Sequence, residues 1–353
     1  MSTDVFAHPW LGGLFGDPEA AAIWEPGRQM SHMLRIEAAY TRALGEVGDL
    51  PKDKAHRAAS AIEASSPDMD SLAMATARDG LPVPDLVRQI KDAAGADADA
   101  IHTGMTSQDV IDTALALSLR DLDDLLATRL SALSGALTDL CGKFGAIEIM
   151  GRTRMQAALP IPAAHRVTSW SRPVASHRER LSILRPRVER LQLGGPVGDR
   201  ASLGGQSEAI ARLMARELGL AGGPAWHAQR EALADHASLL SLISGTLGKM
   251  GQDICLMSQQ GIDEVQIRDA GGSSAMPHKQ NPVTAELLVT LARFNATQVA
   301  GMHHALVHEQ ERSGAAWGLE WMILPQMAMA AARSLSAASD LSCRITIRKG
   351  QAG

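Results

Sequence analysis

Leu115, Leu119, Leu122, Leu126, Leu130, Leu133, Leu137 and Leu140 follow one another at steps of three and four without interruption. That period puts all eight on one side of an α-helix and excludes a strand, whose faces alternate at every second residue. At about 1.5 Å per residue the stripe is a helix near 40 Å long. Two more stripes run through Leu233, Ala237, Leu240, Ile243, Leu247, Met250, Ile254 and Met257, and through Leu288, Ala292, Asn295, Val299, Met302 and Leu306. Segments 166–192 and 319–340 have helical texture as well, the former strongly charged. Five long helices make a bundle, and stripes of this length are expected to need helices of partner subunits to cover them. Aromatics at 3% and few β-branched runs agree with an almost all-α chain.

Ahead of the bundle the pattern is shorter and often broken. Residues 1–27, rich in Gly, Pro and Trp, read as an irregular lead-in. Helical runs are expected over Met33–Val47, Lys52–Ala64, Met69–Arg78 and Leu86–Ala94, separated by Pro51, Pro67, Gly80, Pro82 and Pro84. Residues 1–100 thus form a small N-terminal helical domain, 101–340 the central long-helix bundle, and 341–353 a short basic tail. The glycine-rich stretch 194–205 is expected to join the second and third long helices as a loop.

A formal charge of −5 without a basic block argues against nucleic acid or an anionic membrane as partner. The longest uncharged stretches, His236–Gly248 and Trp321–Ala332, fall short of the roughly 18–20 apolar residues that span a bilayer. With no basic start before a long apolar core, no secretory signal is expected, and the cytoplasm is the expected compartment. Cys141, Cys255 and Cys343, odd in number and far apart, read as buried thiols. No His, Asp or Glu spacing fits a metal, so neither metal nor cofactor is expected.

Three polar segments sit at the ends of the long stripes. The loop Gly271–Pro282 begins with paired glycines and ends in Asn281-Pro282, which reads as N-cap and first turn of the next helix. Ser273, Ser274 and Lys279 would then lie near that helix's positive end, a setting for a carboxylate. Thr106 reads as an N-cap, with Asp109 completing a capping box, and Thr106, Ser107 and the free amides there suit a second carboxylate. Gly151–Pro160 carries Arg152, Thr153, Arg154 and Gln156, donors that match a planar anion.

These segments carry a resemblance. Gly272-Ser273-Ser274, Met276-Pro277, Lys279 and Asn281 resemble the signature of the fumarase/aspartase superfamily. Thr106–Ala114 resembles its first signature, in the Thr-Ser-Gln-Asp form of the carboxymuconate branch, and Gly151–Pro160 its second. Pro224-Ala225-Trp226-His227-Ala228-Gln229-Arg230 resembles a segment of the same branch, Ala201–Gly204 the loop before it, and His308–Trp317 with Glu320 a late region. The resemblance spans about residues 28–340. It implies a bundle of the fumarase/aspartase type, with the small helical C-terminal domain of such enzymes mostly absent from this chain. It also implies a homotetramer whose composite active sites draw on different subunits, a monomer being inactive.

There is one departure. Lyases of the superfamily that use a histidine as general acid carry it directly after the threonine, where this chain has Arg154. An arginine stays protonated, so its expected job is charge binding, which fits a leaving group that is itself a carboxylate. The carboxymuconate branch implies such a reaction on a small tricarboxylate. One carboxylate of 3-carboxy-cis,cis-muconate adds across a conjugated double bond to give a carboxymuconolactone, a step of protocatechuate breakdown. Ser273 is carried over as the acid/base, with Ser274 competing for the role and Lys279 supporting it. Thr106, Ser107, Lys279 and Asn281 would stabilise the enolate-like intermediate, and Arg152, Arg154 and Arg312 would bind the remaining carboxylates. His102, Thr153, Gln156, His227 and Met276 complete the expected substrate-binding set. The alternatives are an adenylosuccinate-type lyase of the same superfamily, and a non-catalytic helical assembly protein, whose mark would be loss of Ser273 or Lys279.

Overall fold

The structure, a computed structural model, describes residues 4–272, 276 and 279–350. Two short helices, α1 (Gly12–Phe15) and α2 (Pro18–Trp24), precede α3 (Pro26–Val47), α4 (Lys52–Ala64), α5 (Met69–Asp79), α6 (Val83–Ala94) and a 3₁₀ turn over Gly95–Ala100. Then follow α7 (Ser107–Phe144), a hairpin of β1 (Glu148–Thr153) and β2 (Gln156–Pro162), α8 (Ala163–Val188), α9 (Ser207–Leu218) and α10 (Glu231–Met257). The chain closes with β3 (Val265–Ile267), α11 (Val283–His304), α12 (Gly314–Arg344) and β4 (Ile345–Ile347), which pairs antiparallel with β3.

The five helices of the bundle are α7, α8, α10, α11 and α12, and their cross-contacts give their directions. Arg185 of α8 meets Asp124 of α7 while Ala163 meets Ile147, so these two run antiparallel. Trp170 meets Asp253 and Arg187 meets Asp235, so α10 turns back parallel to α7. Asn295 of α11 bonds Ser244, and Met327 of α12 bonds Asn295, completing an up-down-up-down-up bundle. Leu119, Leu122, Leu126, Leu130, Leu133 and Leu137 are fully buried in its core. Each contributes roughly 1.5–3 kcal/mol relative to an exposed side chain.

Several expectations change. The lead-in is irregular only in part: residues 4–11 are turns and bends, but α1 and α2 follow, where Asp17 accepts from Ala20 N–H (3.1 Å), Pro18 opens α2, and Arg129 of α7 anchors the same carboxylate (2.6 Å). The stretch 194–205 leads first into α9, which packs on α3, so residues 191–220 share the apolar core of the N-terminal helices. Gly151–Pro160 is a β-hairpin, with Arg154 and Met155 at its two-residue turn, both at positive φ (49° and 65°). Gly151 is required there because a Cβ would lie 2.6 Å from Leu159 O. The cysteines are free but not buried: Cys141 and Cys255 are half-buried and Cys343 is exposed. No helix among the described residues is long and apolar enough to cross a membrane.

Two core histidines set the acid side of stability. Burial disfavours the imidazolium, and His32 and His177 are both pushed down to about 4 from an ordinary 6.5. Between those values the unfolded chain binds protons that the folded chain refuses. Stability present above pH 6.5 is therefore lost as pH falls toward 4. The urea midpoint is expected to drop steadily from pH 7 to pH 5, and His177→Phe to flatten that drop; a midpoint independent of pH over this range contradicts it.

Candidate active site

The candidate residues fall into two groups at opposite ends of the bundle. One gathers where α7, α10 and α12 begin. Thr106 caps α7 (φ −127°, ψ 160°), and Asp109 returns a bond to its N–H (3.0 Å). Asp109 is fully buried and also accepts from Gly194 N–H (2.7 Å), Gly195 N–H (3.0 Å) and Gln192 (3.2 Å). His227 Nε2 lies 3.2 Å from the same carboxylate. A Cβ on Gly198 would meet His227 Nδ1 at 3.0 Å, so the glycine-rich stretch lies directly on the ring. His227 is thus buried beneath this loop, and half-buried Ser107 occupies the first helical position.

Arg312 reaches this group from the start of α12. Its Nε donates to Gln108 Oε1 (3.0 Å), and Nη2 donates to Thr106 Oγ1 (2.8 Å) and Pro196 O (3.3 Å). Nη1 has no bond among the described residues and remains open to an anion. Gln108, absent from the expected set, fixes that orientation. Its amide nitrogen donates to Asp112 (3.0 Å) and to His227 O (3.0 Å), which leaves only its oxygen to face Arg312.

Below lies a buried charge network. Arg230 donates to both oxygens of Asp112 (2.6 and 3.1 Å) and forms a two-bond pair with Glu320, while Trp317 Nε1 donates to Asp112 (2.9 Å). Burial would lower the Arg230 pKa, but the two carboxylates outweigh it and hold it above the ordinary value. Burial raises Glu320, and Arg230 opposes this only in part. His102 bonds Glu37 (2.7 Å); burial lowers its pKa, Glu37 more than reverses this, and the ring is held above 6.5. Its contribution to stability is present below pH 6.5 and lost as pH rises through that elevated value.

The second group lies at the far end of α10. The hairpin borders a groove of about 690 Å³ whose lining includes Arg152, Thr153 and Arg154, with Arg166 of α8 and Lys249 of α10 across from them. Gln156 pairs with Thr153 in the hairpin register and does not line the groove. Arg152 donates to buried Glu264 (2.8 Å), so its charge already has a counter-ion within the chain. Arg154, exposed at the turn, has no side-chain partner among the described residues.

Beside it a second groove of about 700 Å³ has Met276, Lys279 and Asn281 in its lining. Asn281 is not the N-cap expected of it. Pro282 occupies that position, and the Asn281 amide instead donates to Gly272 O (3.1 Å), closing the base of the loop. Ser273 and Ser274 lie outside the described residues. The 27 residues of α10 separate the two groups by about 40 Å. Thr106, Ser107, His227 and Arg312 therefore do not meet Arg154 and Lys279 within one chain.

The profile of the Lyase family matches residues 18–301. The chain belongs to this lyase family, with the helical fold of the fumarase/aspartase type. Among its relatives is the 3-carboxy-cis,cis-muconate cycloisomerase of Pseudomonas aeruginosa, 35% identical over 347 residues, covering 96% of this chain and 76% of the relative. The N-acetyl-S-(2-succino)cysteine lyase of Enterococcus italicus is 30% identical, over 93% of this chain and 73% of that protein. The crystal structure of the 3-carboxy-cis,cis-muconate lactonizing enzyme from Pseudomonas putida superposes with a TM-score of 0.90 at 32% identity, covering 96% of this chain and 77% of that one.

Proposed function

We propose that the protein is a 3-carboxy-cis,cis-muconate cycloisomerase, working in the cytoplasm as a homotetramer with composite sites. Arg154 carries this reading. It stands exposed at the hairpin turn with no side-chain partner among the described residues, in the signature position where a proton-donating histidine would serve an amine or water leaving group. A permanently charged guanidinium there suits a carboxylate, and in this reaction the group that adds or leaves is a carboxylate.

In the lactonising direction a carboxylate oxygen attacks the conjugated carbon, and the electron pair moves to the carbon α to another carboxylate. That carbon then takes a proton, for which Ser273 is the assigned donor. The intermediate is a dianionic enolate, and donors fixed before it forms stabilise it best. Lys279, the open edge of Arg312 and the free amides where α7 begins are suited to that role. Because these lie about 40 Å apart in one chain, a small tricarboxylate can touch both sets only if another copy brings its own bundle end alongside.

The test is to add 3-carboxy-cis,cis-muconate and follow loss of the diene's ultraviolet absorbance, with N-acetyl-S-(2-succino)cysteine and adenylosuccinate as comparison substrates. The reading expects turnover of the muconate. Turnover of a succino compound with none of the muconate overturns it.

A further inference from the structure

The closing residue of α12 reaches across to the loop that carries Lys279. Arg344 donates from Nη1 to Asp269 O (3.3 Å), just before the loop, and from Nη2 to Thr284 Oγ1 (2.8 Å), just after it. Between these anchors the neck closes as an antiparallel bridge. Gly271 N–H donates to Asn281 O (2.9 Å) and Asn281 N–H to Gly271 O (2.7 Å). The neck is tight: a Cβ on Gly271 would lie 2.5 Å from Val283 Cγ2.

Arg344 is itself held from the other side. Arg268 N–H donates to Arg344 O (3.0 Å), and the strand that follows, β4, pairs with β3. Arg348 then donates from N–H to Glu264 O (3.0 Å) and from Nε to Asp263 O (3.2 Å). The ion pair of Arg344 with Asp340 (2.7 Å) has a carboxylate 58% exposed, and a pair that open to water adds little. What distinguishes Arg344 is that one planar fork holds both flanks of the loop at once, which the single point charge of a lysine does not do.

We propose that Arg344 is a positioning residue for the reaction: by bridging Asp269 and Thr284 it fixes the neck of the Gly271–Pro282 loop, and with it the placement of Lys279. It touches no substrate. The proposal rests on the assignment of catalysis to that loop, so it needs one readout that does not depend on activity. Hydrogen exchange at the Gly271 and Asn281 amides supplies it.

In Arg344→Gln these two amides are expected to exchange at least about tenfold faster, while those of α12 and of the β3–β4 pair keep their protection. With carboxymuconate as substrate, kcat is expected to fall on the order of tenfold or more with KM within about twofold. Arg344→Lys restores one arm of the bridge and remains below the parent. Thr284→Val lowers kcat in the parent and adds nothing in the Arg344→Gln background, since both act through one contact. Unchanged exchange at the neck overturns the proposal, as does a kcat within twofold of the parent in Arg344→Gln. If the parent itself leaves carboxymuconate untouched, the functional assignment fails, and exchange at Gly271 and Asn281 still decides whether Arg344 braces the neck.

Discussion

Ser273→Ala is expected to fold and assemble as the parent does and to lose at least about a hundredfold in turnover, the lower end of what a positioned acid or base contributes. The residue lies outside the described part of the loop, so the expectation rests on the Gly272–Asn281 signature and on what surrounds it. A serine hydroxyl is a poor acid/base unless a nearby charge stabilises its anion. Lys279 is that charge, exposed and without a side-chain partner among the described residues, beside a neck closed by Gly271 and Asn281. The measurement is kcat from the diene absorbance, with circular dichroism and sedimentation as checks on fold and assembly. Near-normal turnover removes the role from Ser273 and leaves Ser274 as the residue to test.

The second large effect is on stability. Arg230→Met is expected to cost about 3–5 kcal/mol, because it leaves Asp112 and Glu320 buried without their cation. Both carboxylates are essentially inaccessible, so water cannot replace the guanidinium. Asp112 keeps Trp317 and Gln108 as donors, whereas Glu320 has no side-chain donor other than Arg230 among the described residues. Adding Glu320→Gln to Arg230→Met should therefore recover part of the loss, since one of the two orphaned charges is gone. Urea unfolding of the three proteins decides it. A single Arg230→Met variant within 1 kcal/mol of the parent, by linear extrapolation, would show that the network carries little of the stability. Loss of the network should also loosen Gln108, and through it the edge that Arg312 presents to substrate.

Much of this architecture is legible in the chain. Long stripes of period three to four leave a bundle as the only compact solution, and all five long helices appear, α7 longer than its leucines alone mark. The capping box at Thr106 is equally readable, since the side chains that make it are local. The hairpin is not. Its turn places Arg154 and Met155 at positive φ without the Gly or Asn that usually announces such a turn, so nothing local marks it. Only the contact of Gly151 with Leu159 O shows why a glycine is there.

Within the candidate site the residues that bear charge were visible, and what each charge already faces was not. Glu264 takes up Arg152, and Gln108 turns Arg312, yet both partners lie more than a hundred residues away in sequence. Asn281 before Pro282 reads as a helix cap, but its side chain closes the loop neck instead, a choice decided by Gly272 across the bridge. The separation of the two bundle ends was also invisible in any single motif. It follows from the parallel course of α7 and α10, which tertiary contacts such as Arg230 with Asp112 establish.

The most direct test of a site shared between bundle ends of different copies is complementation. Arg312→Ala disables the end where α7 begins, and Lys279→Ala the end that carries the loop. Each variant alone is expected to be nearly inactive on 3-carboxy-cis,cis-muconate. Denatured together and refolded, they should form mixed assemblies in which some sites combine an intact Thr106–Arg312 end with an intact Arg154–Lys279 end, and activity should rise well above the sum of the two. A mixture that co-assembles and still shows only that sum contradicts the composite site.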